Sequence, residues 1–528
     1  MTPYLPALSI IALITFSILS PAAFLIRRSM THAWLVAVMG ALVGWILILL
    51  AGFDLPYTIP LLSWEPREIL SASPVLLVDQ ISWPFAVSVA TLALAVIVTE
   101  VAREFEAELS SWAGSLALAA LGLTTVLAGN PLTLLLGWSV LDFSESLILL
   151  RHLQRSEERK QVISAVAARV AGSILLLYGL VQASASDIQL NFENIPSGVS
   201  IYLLLAASLR LGVVPVHLPF WREPPLRRGI GTISRLTTVA ASLVLLPRVA
   251  SAGVQENQAG ILLLLTALAA IYSGYSWFNS TNELEGRPFW ILGWAALSLA
   301  AAIRGQAFAS LAWGSALIFT GGLQFLYSFR SRYLLILPLL GFLSTATLPF
   351  TPTWLGGQMY SSPFNVWQIA FIISQALLLG GIIRHSLRSV DELRRVERWV
   401  WVIYPTGLLL ILLSQYLASW LGGSLFGNSD WEIGFGTTIP GVIVLAFSAL
   451  WLLWAQKVRP MPKWVVTIFD KVFSLGWFYS LLAWLFRLTG QALSFISAVL
   501  EGEGGILWAL LLLVLLIAFL TQRGFSGG

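Results

Sequence analysis

Five ionisable side chains stand inside long apolar stretches of this chain, and their types decide what chemistry they can do. Asp142 and Glu145 lie three residues apart, so a helix would present both carboxylates on one face. Arg210 and His217 share a second apolar stretch, and Arg235 lies in a third. Carboxylates and imidazole can bind and release protons, whereas a guanidinium keeps its proton and acts as a fixed charge. These five residues are the candidates for a proton path.

Two prolines flank the histidine in LRLGVVPVHLPFWREPP, residues 209–225. Pro215 and Pro219 each remove a backbone N–H and clash with the preceding turn, so we expect a broken helix near His217. Broken helices at membrane depth line protein or a water-filled path. The residues allow two interpretations, a conduction route or a buried structural pair in which an arginine neutralises Asp142 or Glu145.

Three other charges within apolar stretches have simpler interpretations. Asp79 stands at a predicted helix start, where a carboxylate can accept hydrogen bonds from free N–H groups. Arg248 lies near the end of a predicted span and is expected to extend its guanidinium to the membrane surface. Arg169 can do the same or pair with an acid, and the residues alone leave both choices open.

The composition predicts the elements that must position these groups. Hydrophobic residues make up 57% of the chain and charged residues only 11%, against about a quarter charged in soluble proteins. Apolar runs near the roughly 20 residues of a spanning helix recur along the chain, and they are too continuous for barrel strands. We therefore predict an all-α polytopic membrane protein.

Hydropathy predicts about sixteen transmembrane helices. Lys and Arg gather after the odd-numbered spans and are absent from 186–200 and 414–432, which predicts an N-terminus outside the membrane. Between residues 464 and 501 charges recur among Phe, Leu and Trp, which predicts one or two amphipathic helices along the membrane or a partner; a kinked seventeenth span is the alternative. The predicted spans are 4–26, 33–52, 78–101, 112–129, 131–150, 162–183, 200–221, 230–250, 259–278, 288–303, 307–328, 333–349, 365–384, 398–421, 436–455 and 504–521.

Several function classes are not supported by the sequence. The chain has no cysteine, which excludes thiolate metal sites and cysteine-ligated iron–sulfur clusters within it. We find no nucleotide loop, flavin motif or metal-ligand cluster, so we expect no cofactor, no metal and no catalytic residue. A net charge of +4 from scattered loops does not suggest nucleic acid.

The segment PVHLPFW at 215–221, with Arg210 before it, resembles the seventh-helix signature of the antiporter-like proton-translocating subunits of respiratory complex I. Subunits of membrane-bound hydrogenases and of multisubunit Na⁺/H⁺ antiporters belong to the same family. The resemblance covers roughly residues 75 to 390. Further matching segments follow in family order: LLVDQIS at 76–82, GNPLTLLLGWS at 129–139, LLLYGL at 175–180, NELEGRPFWILGWAALSLA at 282–300 and TLPFTPTWLGG at 347–357.

The resemblance implies two inverted repeats of five helices, with the seventh and twelfth helices broken, the twelfth near Pro349 and Pro352. It also implies antiporter-like and other membrane subunits as partners, within the lipid bilayer of a bacterial or archaeal plasma membrane. The implied segments are helices 1–3 at 1–110, the two repeats at 111–255 and 256–390, helices 14 and 15 at 391–463, and a lateral helix with a final span at 464–528.

The chain departs from the family at its charged positions. Where the family has Gly-Trp-Glu, Ser139 follows Trp138, and we expect the carboxylate one turn later at Asp142. The seventh-helix lysine aligns with Arg210, and the lysine or histidine of the eighth helix falls near Arg235. The eleventh and twelfth helices lack their usual ionisable residues, and the four lysines, at 160, 457, 463 and 471, lie outside the path. Lysine-borne proton transfer therefore cannot operate here, because arginine holds its proton.

We therefore interpret the chain as a degenerate membrane subunit of a complex I-like, NADH–quinone oxidoreductase-type assembly. Its proton path is interrupted in the second repeat, and bracing is an expected role. Two alternatives remain open. One is a membrane module for cation/proton exchange or inorganic carbon uptake with a soluble partner, and the other is a scaffold without conduction.

Overall fold

A computed structural model of the protein divides it into two units, Met1–Pro460 and Met461–Gly528, which are described separately. The described residues are 2–61, 73–102, 108–152, 156–186, 191–192, 195–218, 228–329, 333–360, 366–388, 397–425, 435–454, 484, 487–488, 490–491, 494 and 508–517.

The described part of the first unit is almost entirely helical. Several of its helices follow one another after short connections, as expected for a polytopic bundle. The helices are α1 Leu5–Arg27, α2 Met30–Leu50, α3 Ser82–Glu100, α4 Leu109–Val126, α5 Pro131–His152, α6 Ser156–Ser184, α7 Ser197–Leu211, α8 Arg228–Leu243, α9 Leu245–Ala250, α10 Glu256–Asn279, α11 Glu283–Ile303, α12 Ala307–Leu326, α13 Ile336–Ser344, α14 Trp367–Leu387, α15 Val400–Leu425 and α16 Phe435–Trp454.

The helix lengths confirm the all-α polytopic membrane fold. Twelve helices in the described residues are long and apolar enough to cross a membrane, with α8 and α9 counted as one. Three shorter apolar helices overlap further predicted spans: Ser197–Leu211, Thr438–Leu453 and Trp508–Ile517. The total of sixteen spans stays a prediction, as does the amphipathic character of 464–501, most of which lies outside the described residues.

Burial separates central helices from peripheral ones. The membrane-length windows of α8 with α9 and of α11 are 100% buried, whereas that of α1 is 17% buried. The window of α5 is 44% buried, so one of its faces points outward while the other meets the protein. Charged residues on its inner face are thereby withdrawn from lipid.

The two predicted helix interruptions are present. Helix α7 ends at Leu211, where Gly212 takes a left-handed φ of 79°, and irregular backbone with Pro215 follows. Helix α13 ends at Ser344, and an irregular stretch with Pro349 and Pro352 leads into a 3₁₀ helix at Leu355–Tyr360. The first break therefore begins at a glycine ahead of the prolines. Pro219 lies outside the described residues.

A small β-hairpin was not predicted. Strands β1 Tyr57–Pro60 and β2 Val75–Val78 pair antiparallel, and Leu76 also bridges to Ala128 after α4. Strands of four residues are too short to reveal a two-residue period beside long apolar runs. The hairpin ties the start of α3 to the end of α4.

The helix contacts within 111–255, called here the first segment, can be compared with those within 256–390, the second segment. Helix α4 packs on α5 and α8, and α10 packs in the same way on α11 and α14. Helix α6 packs on α7, as α12 packs on α13. In each segment the interrupted helix follows the helix it packs against.

Candidate functional site

Asp142 and Arg210 form a buried bidentate pair in the first segment. Nη1 and Nη2 of Arg210 donate to Oδ2 and Oδ1 of Asp142 at 2.7 and 2.9 Å. Asp142 lies on the inner face of α5, and Arg210 lies in the last turn of α7, just before the interruption. The Trp138 ring lies 4.2 Å from the guanidinium carbon. Fork-to-fork geometry of this kind fixes the direction of both side chains.

Glu145, one turn along α5, joins two further arginines. Nη1 of Arg235, from α8, donates to Oε1 at 2.7 Å, and Nη1 of Arg169, from α6, donates to Oε2. The Arg169 nitrogen also lies 3.4 Å from Oδ1 of Asp142, so it links the two carboxylates. Together, Asp142, Glu145, Arg169, Arg210 and Arg235 form what we call the ion cluster.

Neutral polar groups complete the surroundings of Arg210. Its Nη1 donates to Oγ of Ser173 at 3.1 Å and to the Arg169 carbonyl at 3.2 Å, and its Nε donates to Oγ of Ser242 at 3.3 Å. Gly172 gives the side chain room, because a Cβ there would lie 2.5 Å from Cγ of Arg210. The local sequence of α6 therefore shapes the slot that the arginine occupies.

The ion cluster holds more guanidinium groups than carboxylates. Among the residues that the structure describes, three guanidinium groups face two carboxylates. All five residues are at most 5% exposed. Because arginine keeps its proton, the charge state of the cluster can change only at Asp142 or Glu145.

His217 does not join the ion cluster. It lies beyond the end of α7, where its Nδ1 is 2.7 Å from the Pro215 carbonyl. The side chain is buried, and no hydrogen bond within the described part of the chain connects it to the ion cluster. Of the five candidates, the structure brings four together and places His217 apart.

Arg248 was expected to extend its guanidinium to the membrane surface, and this expectation is wrong. Its side chain is buried, with Nη1 and Nη2 donating to Oδ2 and Oδ1 of Asp79 at 3.0 and 3.2 Å. Asp79 also caps α3 as predicted, because its Oδ1 accepts from the Ser82 N–H at 2.8 Å. The two residues lie 169 positions apart, so the sequence around either one does not predict the pairing. An arginine near a span end stays buried when a carboxylate lies within reach.

Ser139 does not share the environment of Asp142. It is exposed on the outer face of α5, and its hydroxyl donates to the Leu135 carbonyl of its own helix. Asp142 lies three residues further and faces Arg210. The carboxylate expected one turn beyond the family position is therefore the one that meets the α7 arginine.

Aromatic rings occupy the interior of the second segment. The ring centroids of Trp277 and Trp290 lie 5.2 Å apart, those of Trp290 and Trp294 lie 5.2 Å apart, and those of Trp294 and Trp313 lie 5.5 Å apart. All four rings are fully buried. We call Trp277, Trp290, Trp294 and Trp313 the tryptophan column.

Glycines make room for these rings. A Cβ at Gly381 would lie 2.2 Å from Nε1 of Trp277, and one at Gly321 would lie 2.6 Å from Nε1 of Trp290. A Cβ at Gly356 would lie 2.7 Å from the Trp313 ring. The column was missed from the sequence, although the abundance of both residue types, 42 glycines and 23 tryptophans, was visible there.

A further ion pair joins the two segments and was also missed. Nη2 of Arg228, at the start of α8, donates to Oε1 of Glu283, at the start of α11, at 2.8 Å. Its Nη1 donates to the Phe325 carbonyl at 2.7 Å. This ion pair therefore joins the start of α8 to the start of α11. Its sequence signal was weak, because both residues border loops.

No protein-family model matches the chain, and no curated protein matches it. Solved structures do. One chain of the Mrp complex from Dietzia sp. DQ12-45-1b is 13% identical over 98% of this chain and 63% of that one, with a TM-score of 0.72. This chain therefore spans less than two thirds of that relative's length.

Two further complexes contain similar chains. One is the membrane-bound sulfane sulfur reductase, described as an archaeal respiratory membrane complex, with 13% identity over 97% of this chain and 99% of that one and a TM-score of 0.64. The other is respiratory complex I from Thermus thermophilus with bound NADH, with 17% identity over 84% and 99% and a TM-score of 0.59. The chain therefore has the antiporter-like membrane fold that its motifs predicted, shared with chains of complex I and related assemblies.

Proposed function

We propose that the chain is a membrane subunit of a multisubunit, redox-driven ion-translocating assembly related to complex I, and that it exchanges protons only at the ion cluster. The observation that carries this proposal is the buried network in which Arg169 contacts both Asp142 and Glu145. Ionisable groups within a membrane default to function or to buried pairing. Here each carboxylate meets more than one cation, which allows alternative pairings.

The proposed mechanism is an exchange of partners within the ion cluster. A proton bound by Asp142 would remove the charge that holds Arg210, and Arg169 would then interact more strongly with Glu145. Because charges interact strongly in a medium of low polarity, protonation of one carboxylate changes the proton affinity of the other. The arginines act as fixed charges that transmit this change between α6, α7 and α8.

The tryptophan column supports the second part of the proposal, that conduction does not continue through the second segment. Indole rings neither bind nor release protons at neutral pH, so the column itself supplies no proton-carrying group. We infer that the second segment blocks proton passage and braces the assembly.

The division of the chain into five segments, with inverted repeats at 111–255 and 256–390, is also proposed. It rests on the comparable helix contacts of the two segments and on the family pattern.

Purification of the native chain in mild detergent, followed by mass spectrometry of the co-purifying chains, tests the assignment to an assembly. We expect quinone- or hydrogenase-type subunits together with other antiporter-like chains, in a bacterial or archaeal plasma membrane. Recovery of the chain alone, or with only a soluble partner, would contradict the proposal and favour a stand-alone transporter.

A cation/proton antiporter is the second candidate, because an Mrp complex chain covers 98% of this chain at a TM-score of 0.72. The two candidates differ in what drives flux. In purified assemblies reconstituted into vesicles, an antiporter would move protons in response to a sodium gradient alone. The redox-driven assembly would move them only while its electron donor is oxidised.

The bracing role has its own test. We propose that 464–528 fixes the chain to its neighbours, as an amphipathic segment followed by an apolar helix would. Removal of these residues should release the chain from the assembly during detergent purification. Retention of the shortened chain at the full ratio would contradict this role.

A further inference from the structure

The packing between α4 and α8 contains buried polar groups that lack partners. A Cβ at Gly114 would lie 3.4 Å from Cδ1 of Ile230, and one at Gly122 would lie 2.2 Å from Cγ2 of Thr237. From Gly114 to Gly122 residue numbers increase along α4, and from Ile230 to Thr237 they increase along α8. The two helices are therefore parallel, and these pairs fix which of their residues lie side by side. Ser234 lies between Ile230 and Thr237 on the face of α8 that meets α4.

Four polar atoms along these two helices have no hydrogen-bond partner in the part of the chain that the structure describes. They belong to side chains that are 2% exposed or less. Such groups are normally bonded, either to protein or to ordered water. The atoms are Nε1 of Trp112, Oγ of Ser115, Oγ of Ser234 and Oγ1 of Thr237.

Neighbouring hydroxyls show what a dry arrangement would look like. Thr232 Oγ1, also in α8, donates to the Arg228 carbonyl at 2.6 Å, and Thr266 Oγ1 donates to the Leu262 carbonyl at 2.7 Å. Each is satisfied within its own helix turn. The hydroxyls of Ser115, Ser234 and Thr237 are not, although they have the same option.

A carboxylate lies beyond each end of this row of polar atoms on α4 and α8. At the inner end, Glu100 is fully buried at the last residue of α3, and its Oε1 accepts from Oγ of Ser111 at 2.7 Å. A Cβ at Gly229, near the start of α8, would lie 2.9 Å from that oxygen. At the other end, Thr238 Oγ1 donates to Oε2 of Glu145 at 3.0 Å. The four polar atoms therefore lie along helices that join Glu100 to the ion cluster.

We propose that water molecules bound along the α4–α8 face connect Glu100 with Glu145, and that protons reach the ion cluster from the inner membrane face by this route. The proton part rests on the proposed function, whereas the hydration does not. Glu100 is the proton donor and acceptor at the inner end. Ser115, Ser234 and Thr237 hold the water chain in place.

A high-resolution cryo-electron microscopy map of the native assembly tests the hydration directly. We expect ordered water within hydrogen-bond distance of Ser115, Ser234 and Thr237. A dry interface, with the three hydroxyls turned to their own helix carbonyls, would overturn the proposal. This result does not depend on whether the subunit conducts.

Proton flux tests the route. The double change Ser234→Ala with Thr237→Val removes two water-binding hydroxyls and keeps the shape of the face, and we expect it to remove most of the flux, as Glu100→Gln should. Thr266→Val is the matched control, because that hydroxyl is bonded within α10. It should leave flux unchanged.

The pattern of losses separates the two proposals. If Asp142→Asn stops flux while the double change and Glu100→Gln leave it intact, the route is wrong and the ion cluster stands. If none of the three changes affects flux, the proposed function fails and the proton route fails with it. A loss in all three, with the control intact, supports both.

Discussion

The ion cluster of the first segment and the tryptophan column of the second are built from opposite kinds of side chain. In the first, α5 carries Asp142 and Glu145 to three arginines. In the second, α11 carries Trp290 and Trp294 to a column of rings. Under the proposed function, the side chains and not the fold decide whether a segment exchanges protons.

The two interiors also differ in how they are stabilised. A buried ion pair roughly offsets its own desolvation and becomes costly only when one partner is lost. A buried tryptophan contributes through apolar area and close contact, and it fails when its space changes. Removal of charge should therefore damage the first segment most, and addition of volume should damage the second.

The largest effect is expected from Glu145→Ala. It leaves Arg169 and Arg235 without their shared carboxylate, and the free energy of unfolding should fall by about 3–5 kcal/mol. The midpoint of thermal unfolding of the purified assembly measures this. Glu145→Asp, which keeps the charge, is the control and should recover part of the loss. An unchanged midpoint for Glu145→Ala would show that the ion pairs are not stably formed.

Arg210→Lys should have the next largest effect. Lysine cannot hold Asp142 with two parallel hydrogen bonds or stack on Trp138 as a planar group. We expect a loss of about 1.5–3 kcal/mol, the value of a hydrogen bond to a charged group. Arg384→Lys, at the end of α14, is a control outside the ion cluster and should change the unfolding midpoint less. Equal effects would argue against a special role for the bidentate pair.

Gly381→Ala tests the second segment. Its Cβ would meet Nε1 of Trp277 at 2.2 Å, and overpacking of this kind costs about 1–3 kcal/mol. Gly260→Ala in α10 is the matched control, because nothing lies within 4 Å of the added Cβ. Alanine there should stabilise the helix by up to about 1 kcal/mol. The same sign of change for both variants would contradict a tightly filled column.

The smallest effect is expected from Ser139→Ala. The hydroxyl is exposed on the outer face of α5 and bonds only within its own helix. Unfolding free energy should change by less than about 0.5 kcal/mol, and proton flux should not change. A large loss of flux would place the functional carboxylate site nearer to Ser139 than to Asp142.

Much of the fold followed from hydropathy, because long apolar runs can cross a membrane only as helices. Pro215 and Pro349 marked the two interrupted helices, although the first interruption begins at Gly212. The three-residue spacing of Asp142 and Glu145 placed both carboxylates on one face. Local spacing was sufficient for these features.

Features that depend on distant contacts were not predictable. Arg248 pairs with Asp79 across 169 positions, and its expected extension to the membrane surface was wrong. The choice for Arg169 was left open, since its partner Glu145 lies on another helix. The tryptophan column was missed because apolar periodicity does not distinguish a ring that packs on rings from one that faces lipid. Each of these depends on tertiary packing.

Proton flux in vesicles that contain the purified assembly tests whether proton exchange occurs at the ion cluster and not in the second segment. Asp142→Asn and Trp294→Phe should be compared at equal subunit content, with the electron donor supplied. We expect Asp142→Asn to lose its flux and Trp294→Phe, which keeps an apolar ring, to retain the wild-type value. Wild-type flux in Asp142→Asn, or an equal loss in both variants, would contradict this expectation.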